Sequence, residues 1–563
     1  MNPSADLAAL CERSWERTLA LHPTIATVLG DERYDDRLDD PGPEGRAARR
    51  ALAEETLAGA RAIDPARLEG EDRLTHEILV LVSEREIIDD RLRFDLIGAV
   101  EQQGHQAMLP ELVQFQRADT RERLGRLLAR LEAYPRLTAT VIDLMAEGRA
   151  AGLTAARVVA ERTVSQVERL LAAPVEQSPI VTIPAVARDG DRARLADAVR
   201  RFVRPADEAF LAALRDYLPA TREVPGLCST PDGEARYAAR IAAYTSLDLS
   251  ADELHGQGLE ELEALDDERR AISRAAGFGD DVAAYRAALF ADPDEMPPTR
   301  EALVARCIED IGRALDAAPR WFRWLPRAGC EVRPVEPLLE KDAPAAYYYE
   351  PALDGSRPGI YFVNTHDLPS RSYWITASTT FHEAVPGHHL QGALEMELDG
   401  LPAFRRLGYW PQGTAYVEGW ALYGERLADE MRLFRSPAER FGMLDSLALR
   451  AARLVVDTGL HAYGWSRRRA FETMVAAGVH PTDAAIETDR YVAWPGQALA
   501  YATGRREIER LRAERARREG AAFDLRRFHD DVLGHGKLPL RMLADVVLAD
   551  GIGTGLEAAA TTA

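Results

Sequence analysis

The chain has 563 residues, more than one simple apolar core organises, and a hydrophobic content of 46% typical of globular proteins. Lys and Arg total 70 against 91 Asp and Glu, a formal charge of −21. That balance argues against nucleic acid or an anionic membrane surface as a partner. No run of about 18 uncharged apolar residues occurs, so no transmembrane helix is expected. Met1 to Asp6 lacks a basic start leading into an apolar run, which reads as no secretory leader and a cytoplasmic protein. Cys11, Cys228, Cys307 and Cys330 are widely spaced without a CxxC pair and read as reduced structural thiols.

Residues 5–225 read as successive helices. Leu124, Leu127, Leu128 and Leu131 recur at three and four, and Pro23 and Pro41-Gly42-Pro43 separate the first elements. Leu137 to Leu171 is a long helical candidate interrupted at Gly148 and Gly152. Pro219, Pro225, Gly226 and Pro231 suggest a boundary between an N-terminal helical lobe, 1–225, and a second helical lobe carrying the catalytic residues, 226–555. Helices resume from about Glu234 to Phe322. Between about 330 and 365 helical periodicity fades. Tyr347-Tyr348-Tyr349 and Gly359 to Asn364 look like short strands, with turns at Asp354-Gly355 and Pro358-Gly359. Such a strand is either an edge that holds an extended peptide or a plain structural hairpin. The fold class expected is mainly α, with a small sheet before the helix that carries the densest chemistry.

That chemistry lies in Thr379 to Gln391, where His382, Glu383, His388 and His389 fall within eight positions of a chain with only 12 His. His-Glu on a helix is how many zinc hydrolases begin, the His holding metal and the Glu taking a proton from water. The usual second His, four residues on, is replaced by Pro386. On an unbroken helix His388 would point about 120° away from His382, and His389 would share its face but lie about 10 Å along the axis. Pro386-Gly387 interrupts such a helix, and a kink there can swing His388 back. His388 is the expected second ligand, with His389 the alternative or a pocket-lining residue.

A third ligand is expected from Tyr416 to Glu425, where Glu418 and Glu425 share a face two turns apart; Glu418 is the stronger candidate. The next helix carries Arg453, Asp457 and His461 as a polar stripe among Leu454, Val455, Val456 and Leu460. Asp457 suits the task of orienting a metal-bound His and His461 that of contacting substrate or oxyanion; the plainer reading is an internal network that fixes packing. Tyr491 and Tyr501 are candidates for oxyanion stabilisation, and Arg505 and Arg506 for holding a carboxylate. Asn364, closing the second strand, is a further candidate for substrate contact. The tail after Gly551 is expected to fray.

The string His382-Glu383-Ala384-Val385-Pro386-Gly387-His388-His389-Leu390-Gln391 resembles the signature of a widespread bacterial family designated domain of unknown function 885. Glu418 to Tyr423, Val455 to His461, Pro495 to Leu499 with Tyr501 and Gly504, and Pro23 to Thr27 with Gly30 resemble its other blocks. The family resembles mostly helical zinc peptidases, with an altered His-Glu motif. The resemblance implies a metallopeptidase-like fold and metal chemistry, and names no substrate. The expected function is a zinc-dependent hydrolase of peptide or related amide bonds. In it His382, His388 and Glu418 hold Zn2+, Glu383 is the base, and His461 and Tyr501 assist. His389, Arg453, Asp457, Tyr491 and Asn364 are in support. A small peptide or amide is the expected partner of a monomer or homodimer. The competing reading is a non-catalytic helical binding protein with a remnant metal site; retention of Glu383 favours the enzyme.

Overall fold

The computed structural model describes all residues except 1, 184–185, 187–188, 336–339, 341–342, 353–354, 356, 409 and 550–563. The expected turn at Asp354 and the tail after Gly551 lie outside the described residues, as does the end of the second lobe at 555. The protein is mainly helical with one small sheet. Among the described residues no helix is long and apolar enough to cross a membrane.

The long helical candidate begins earlier than its periodicity suggested and divides in two, Arg121–Ala151 and Arg157–Ala172. The Thr120 side chain caps the first by accepting from the Arg123 backbone N–H. Gly152, at φ +70°, ends it, and the Leu153 N–H reaches the Gly148 carbonyl at 2.8 Å. That left-handed residue is a conformation glycine enters without a Cβ penalty.

The apolar core does not divide at residue 225. Leu7, Ile78 and Leu79 from the first helices share one cluster with Trp374, Phe381, Trp420, Phe441, Ile508 and Val547. Two further clusters, drawn from residues 96–217, pack among themselves. The Pro-rich stretch expected as a lobe boundary is tied to the C-terminal half, because the Leu227 N–H donates to His461 Nδ1.

The sheet has three strands, β1 (Cys330–Pro334), β2 (Ala346–Tyr349) and β3 (Gly359–Val363), in the order β1-β3-β2. β3 runs parallel to β1 from Cys330↔Gly359 to Pro334↔Val363, and antiparallel to β2 from Ala346↔Val363 to Tyr349↔Ile360. Only β2 and β3 were legible as strands. β3 is the buried centre, with Tyr361 fully enclosed. Its hydroxyl lies 3.3 Å from Thr380 Oγ1 and 3.8 Å from Cys307 Sγ, which fixes the following helix, Tyr373–Glu383, against the sheet. A central helix, Pro437–His461, packs on that motif helix; Ser436 caps it, and Leu454, Val455, Val456 and Leu460 are buried as expected.

Candidate metal centre

The motif helix stops at Glu383, and a second helix, His388–Glu397, starts five residues later. Pro386 lacks the N–H a helix needs, and the Gly387 N–H instead reaches the Phe381 carbonyl at 3.0 Å. A Cβ at Gly387 would run into the His382 carbonyl, so only glycine lets the chain fold back this tightly. The fold-back brings the rings of His382 and His388 to 4.7 Å between centroids, at 87° to each other.

The Thr414–Glu430 helix crosses this break. Its Gly424 faces Gly387, with room for a Cβ only at 3.3 Å. Two of its glutamates, Glu418 and Glu425, seven residues apart on one face, bracket the His382 ring. Glu418 Oε2 lies 3.7 Å from His382 Nε2 and 3.5 Å from His388 Nε2. Glu425 Oε1 accepts from His382 Nδ1 at 2.8 Å, and its Oε2 accepts from Ser378 Oγ. Ligand atoms of His382, His388 and Glu418 all lie within 4.8 Å of one another, a group that could hold a metal ion. Donors around a four-coordinate ion with bonds of about 2.0–2.1 Å sit about 3.3 Å apart, so the gaps to Glu418 match such an ion with little movement. Two imidazoles and one carboxylate leave a fourth position free.

Burial sets the electrostatics. Desolvation works against charge on His382, but the neighbouring carboxylate of Glu418 and the hydrogen-bonded carboxylate of Glu425 outweigh it and raise its pKa to about 9. Glu418 is partly buried; desolvation works to raise it, but the imidazoles of His382 and His388 beside it hold it well below the usual carboxylate range. Glu383 is raised, mainly by desolvation, with the charges of His382, His388 and Arg450 opposing the rise. A carboxyl raised beside a metal-type cluster is suited to taking and returning a proton.

The other expected residues divide. His389 turns away from His382; its Nδ1 lies 2.8 Å from the Tyr348 hydroxyl, and burial lowers its pKa to about 4. Asn364 organises a loop, donating to the carbonyls of Glu340, Ala343 and Pro344 and accepting from the His366 N–H. His461 is not placed to act on substrate, because both ring nitrogens are engaged by backbone, the Leu227 N–H at 3.1 Å and the Tyr491 carbonyl at 2.9 Å. Asp457 does not orient a metal-type histidine; it accepts from the Tyr237 hydroxyl at 2.6 Å and the Gly496 N–H at 3.1 Å. Glu425 occupies the orienting position that had been assigned to Asp457. Arg505 pairs with Glu509 and Glu261, and Arg506 with Glu261, so neither is free for a carboxylate. Arg453 and Tyr491 meet through Arg453 Nε and the tyrosine hydroxyl at 2.9 Å, and the Arg453 guanidinium lies 4.2 Å over the Tyr501 ring. Glu487 and Arg490, which join this group, were missed; both sit on an amphipathic helix, Pro481–Ala493, where charge reads as a solvated face.

The family model described as "Bacterial protein of unknown function (DUF885)" matches residues 23–547. The chain belongs to this family. No curated protein matches it. Among solved structures, the crystal structure described as "the putative lipoprotein from Colwellia psychrerythraea" is similar at 27% identity and a TM-score of 0.89, covering 97% of this chain and 99% of that one. A "putative lipoprotein of unknown function from Shewanella oneidensis" shares the fold at 19% identity and a TM-score of 0.77, covering 96% of this chain and 100% of that one.

Proposed function

We propose that this DUF885 protein is a zinc-dependent hydrolase of peptide or related amide bonds, a metallopeptidase in the broad sense. The observation that carries the reading is the convergence of His382, His388 and Glu418 within 4.8 Å directly beside Glu383. The donor set suits zinc, being two imidazole nitrogens and one carboxylate with an open position. A zinc ion held there supplies Lewis-acid polarisation of the scissile carbonyl and makes a water acidic enough to attack near neutral pH.

The chain's own groups supply the rest. Glu425 fixes His382 in the tautomer with hydrogen on Nδ1, which leaves the Nε2 lone pair pointing toward Glu418 and His388. Glu383 takes the proton of the attacking water and delivers it to the leaving amine. Its burial raises its proton affinity toward the working range, and the neighbouring imidazoles limit that rise. A metal site with only a structural task has no need of such a base.

The test is elemental analysis of the purified protein, followed by digestion of a mixed peptide library with and without chelator. Stoichiometric zinc with chelator-sensitive cleavage is expected. Absence of both metal and cleavage would overturn the proposal and favour a helical binding protein.

A further inference from the structure

Beside the candidate centre lies a cluster of arginines that the proposed chemistry does not use. Arg450 and Arg453 project from one side of the Pro437–His461 helix, and Arg490 from the Pro481–Ala493 helix. Glu487 is shared by Arg453 at 2.9 Å and Arg490 at 3.0 Å. Arg450 bonds only to Ser446, at 2.6 Å to its hydroxyl and 3.2 Å to its carbonyl, and makes no ion pair among the described residues. Its helix packs directly on the Tyr373–Glu383 helix, which carries His382 and Glu383. Arg450 therefore sits on the element shared by the candidate centre and the arginine cluster.

Arg453 and Arg490 thus share one carboxylate, with Arg450 one turn away on the Arg453 helix, in a protein whose net charge is −21. Each keeps one donor unspent. Arg450 Nε, Arg453 Nη1 and Arg490 Nε are buried without a hydrogen-bond partner, although Arg453 is only 5% exposed. Buried guanidinium nitrogens are normally satisfied, and an unsatisfied set costs stability unless something else engages it. Guanidinium geometry matches a carboxylate in particular, through paired N–H donors. The Tyr501 ring, stacked on Arg453, floors the cluster.

We infer that Arg450, Arg453 and Arg490 form a subsite for a substrate carboxylate, so that the bond cleaved is one lying close to such a group. The inference takes from the proposed hydrolase only where the substrate lies. Two sources offer this chemistry, the free C-terminus of a peptide and an Asp or Glu side chain.

The turnover experiment compares one peptide library in three forms, unmodified, N-acetylated and C-amidated. Cleavage of the first two, with roughly a tenfold to hundredfold loss on amidation, assigns the subsite to the C-terminus. Retained cleavage of amidated peptides only next to Asp or Glu assigns it to the side chain. Amidated peptides cut as fast as free ones and without acidic preference would overturn the inference. The Arg450→Gln variant keeps a polar partner for Ser446 and should raise KM for the favoured form with little change in kcat.

A binding arm separates this inference from the hydrolase reading. Calorimetry on full-length Glu383→Gln protein uses N-acetyl-trialanine, its amide, and the amide of N-acetyl-Ala-Glu-Ala. Tighter binding of a carboxylate-bearing probe, lost in an added Arg450→Gln change, is expected. If no library is cleaved but this preference persists, the hydrolase reading falls and the subsite stands. If cleavage is chelator-sensitive but all three probes bind alike, the subsite falls alone.

Discussion

Replacing Glu425 by Gln tests the centre with the smallest change in shape. Glu425 is fully buried, accepts from His382 Nδ1 at 2.8 Å and accepts from the Ser378 hydroxyl. As a carboxylate it can only accept, so Nδ1 must carry hydrogen, and Nε2, beside Glu418, is the nitrogen left to bind a metal once it gives up any proton. Glutamine has two ways to fit. With its oxygen on Nδ1, the amide N–H faces Ser378, whose hydroxyl must turn from donor to acceptor, and the imidazole loses a charged partner. With its nitrogen on Nδ1, hydrogen moves to Nε2 and points where a metal would bind. The first way exchanges a charge-assisted hydrogen bond of about 1.5–3 kcal/mol for a neutral one of about 0.5–1.5 kcal/mol, a loss near 1 kcal/mol. The second way costs more. The first corresponds to about a fivefold loss of metal affinity, and the second to the roughly 10–100-fold loss typical when a ligand's orienting partner is changed. Zinc affinity is measured by competition with a chromophoric chelator at neutral pH, with circular dichroism to verify that the helices persist. An unchanged affinity in a folded Glu425→Gln protein would refute the orienting role.

Three other outcomes follow from the same geometry. Glu383→Gln should keep bound zinc and lose roughly 10²–10⁴ in turnover, read by elemental analysis beside a peptide-cleavage assay. His388→Ala should lose zinc on dialysis against a weak chelator, whereas His389→Ala should retain it, because His389 Nδ1 is engaged by Tyr348. Asp207, buried 3.0 Å from the Tyr134 hydroxyl, is raised from 3.8 to about 6 by desolvation. The folded state therefore holds its proton more tightly than the unfolded chain, and the favourable contribution present below about pH 4 fades as pH rises through about 6. Asp207→Asn should remove roughly 2–3 kcal/mol of that fall, seen as a gain in urea midpoint over the parent protein at neutral pH and none at pH 4.

The parts of the site legible in the chain are those set by short-range rules. Pro386 and Gly387 interrupt a helix for local reasons, and once it is interrupted His388 is the nearest imidazole to His382. The seven-residue spacing of Glu418 and Glu425 puts both on one face whatever the helix packs against. Long-range choices were not legible. β1 pairs with a strand 29 residues further on, and its alternation of apolar and charged residues, Cys330 to Arg333, is too short before Pro334 to mark a strand. Asp457 and His461 show why a polar stripe on an apolar helix is ambiguous: a cleft and a buried loop both need polar partners. The choice was made by Leu227 and Gly496, both remote in sequence from the stripe. The arginines carry the same lesson in the opposite direction. Arg505 and Arg506 look free until Glu261 arrives from a distant helix, while Arg450, on the same helix as Asp457, makes no ion pair with a carboxylate among the described residues. A metal-type cluster can be written into one local turn, whereas the charges that select a substrate depend on which carboxylates the rest of the fold has already engaged.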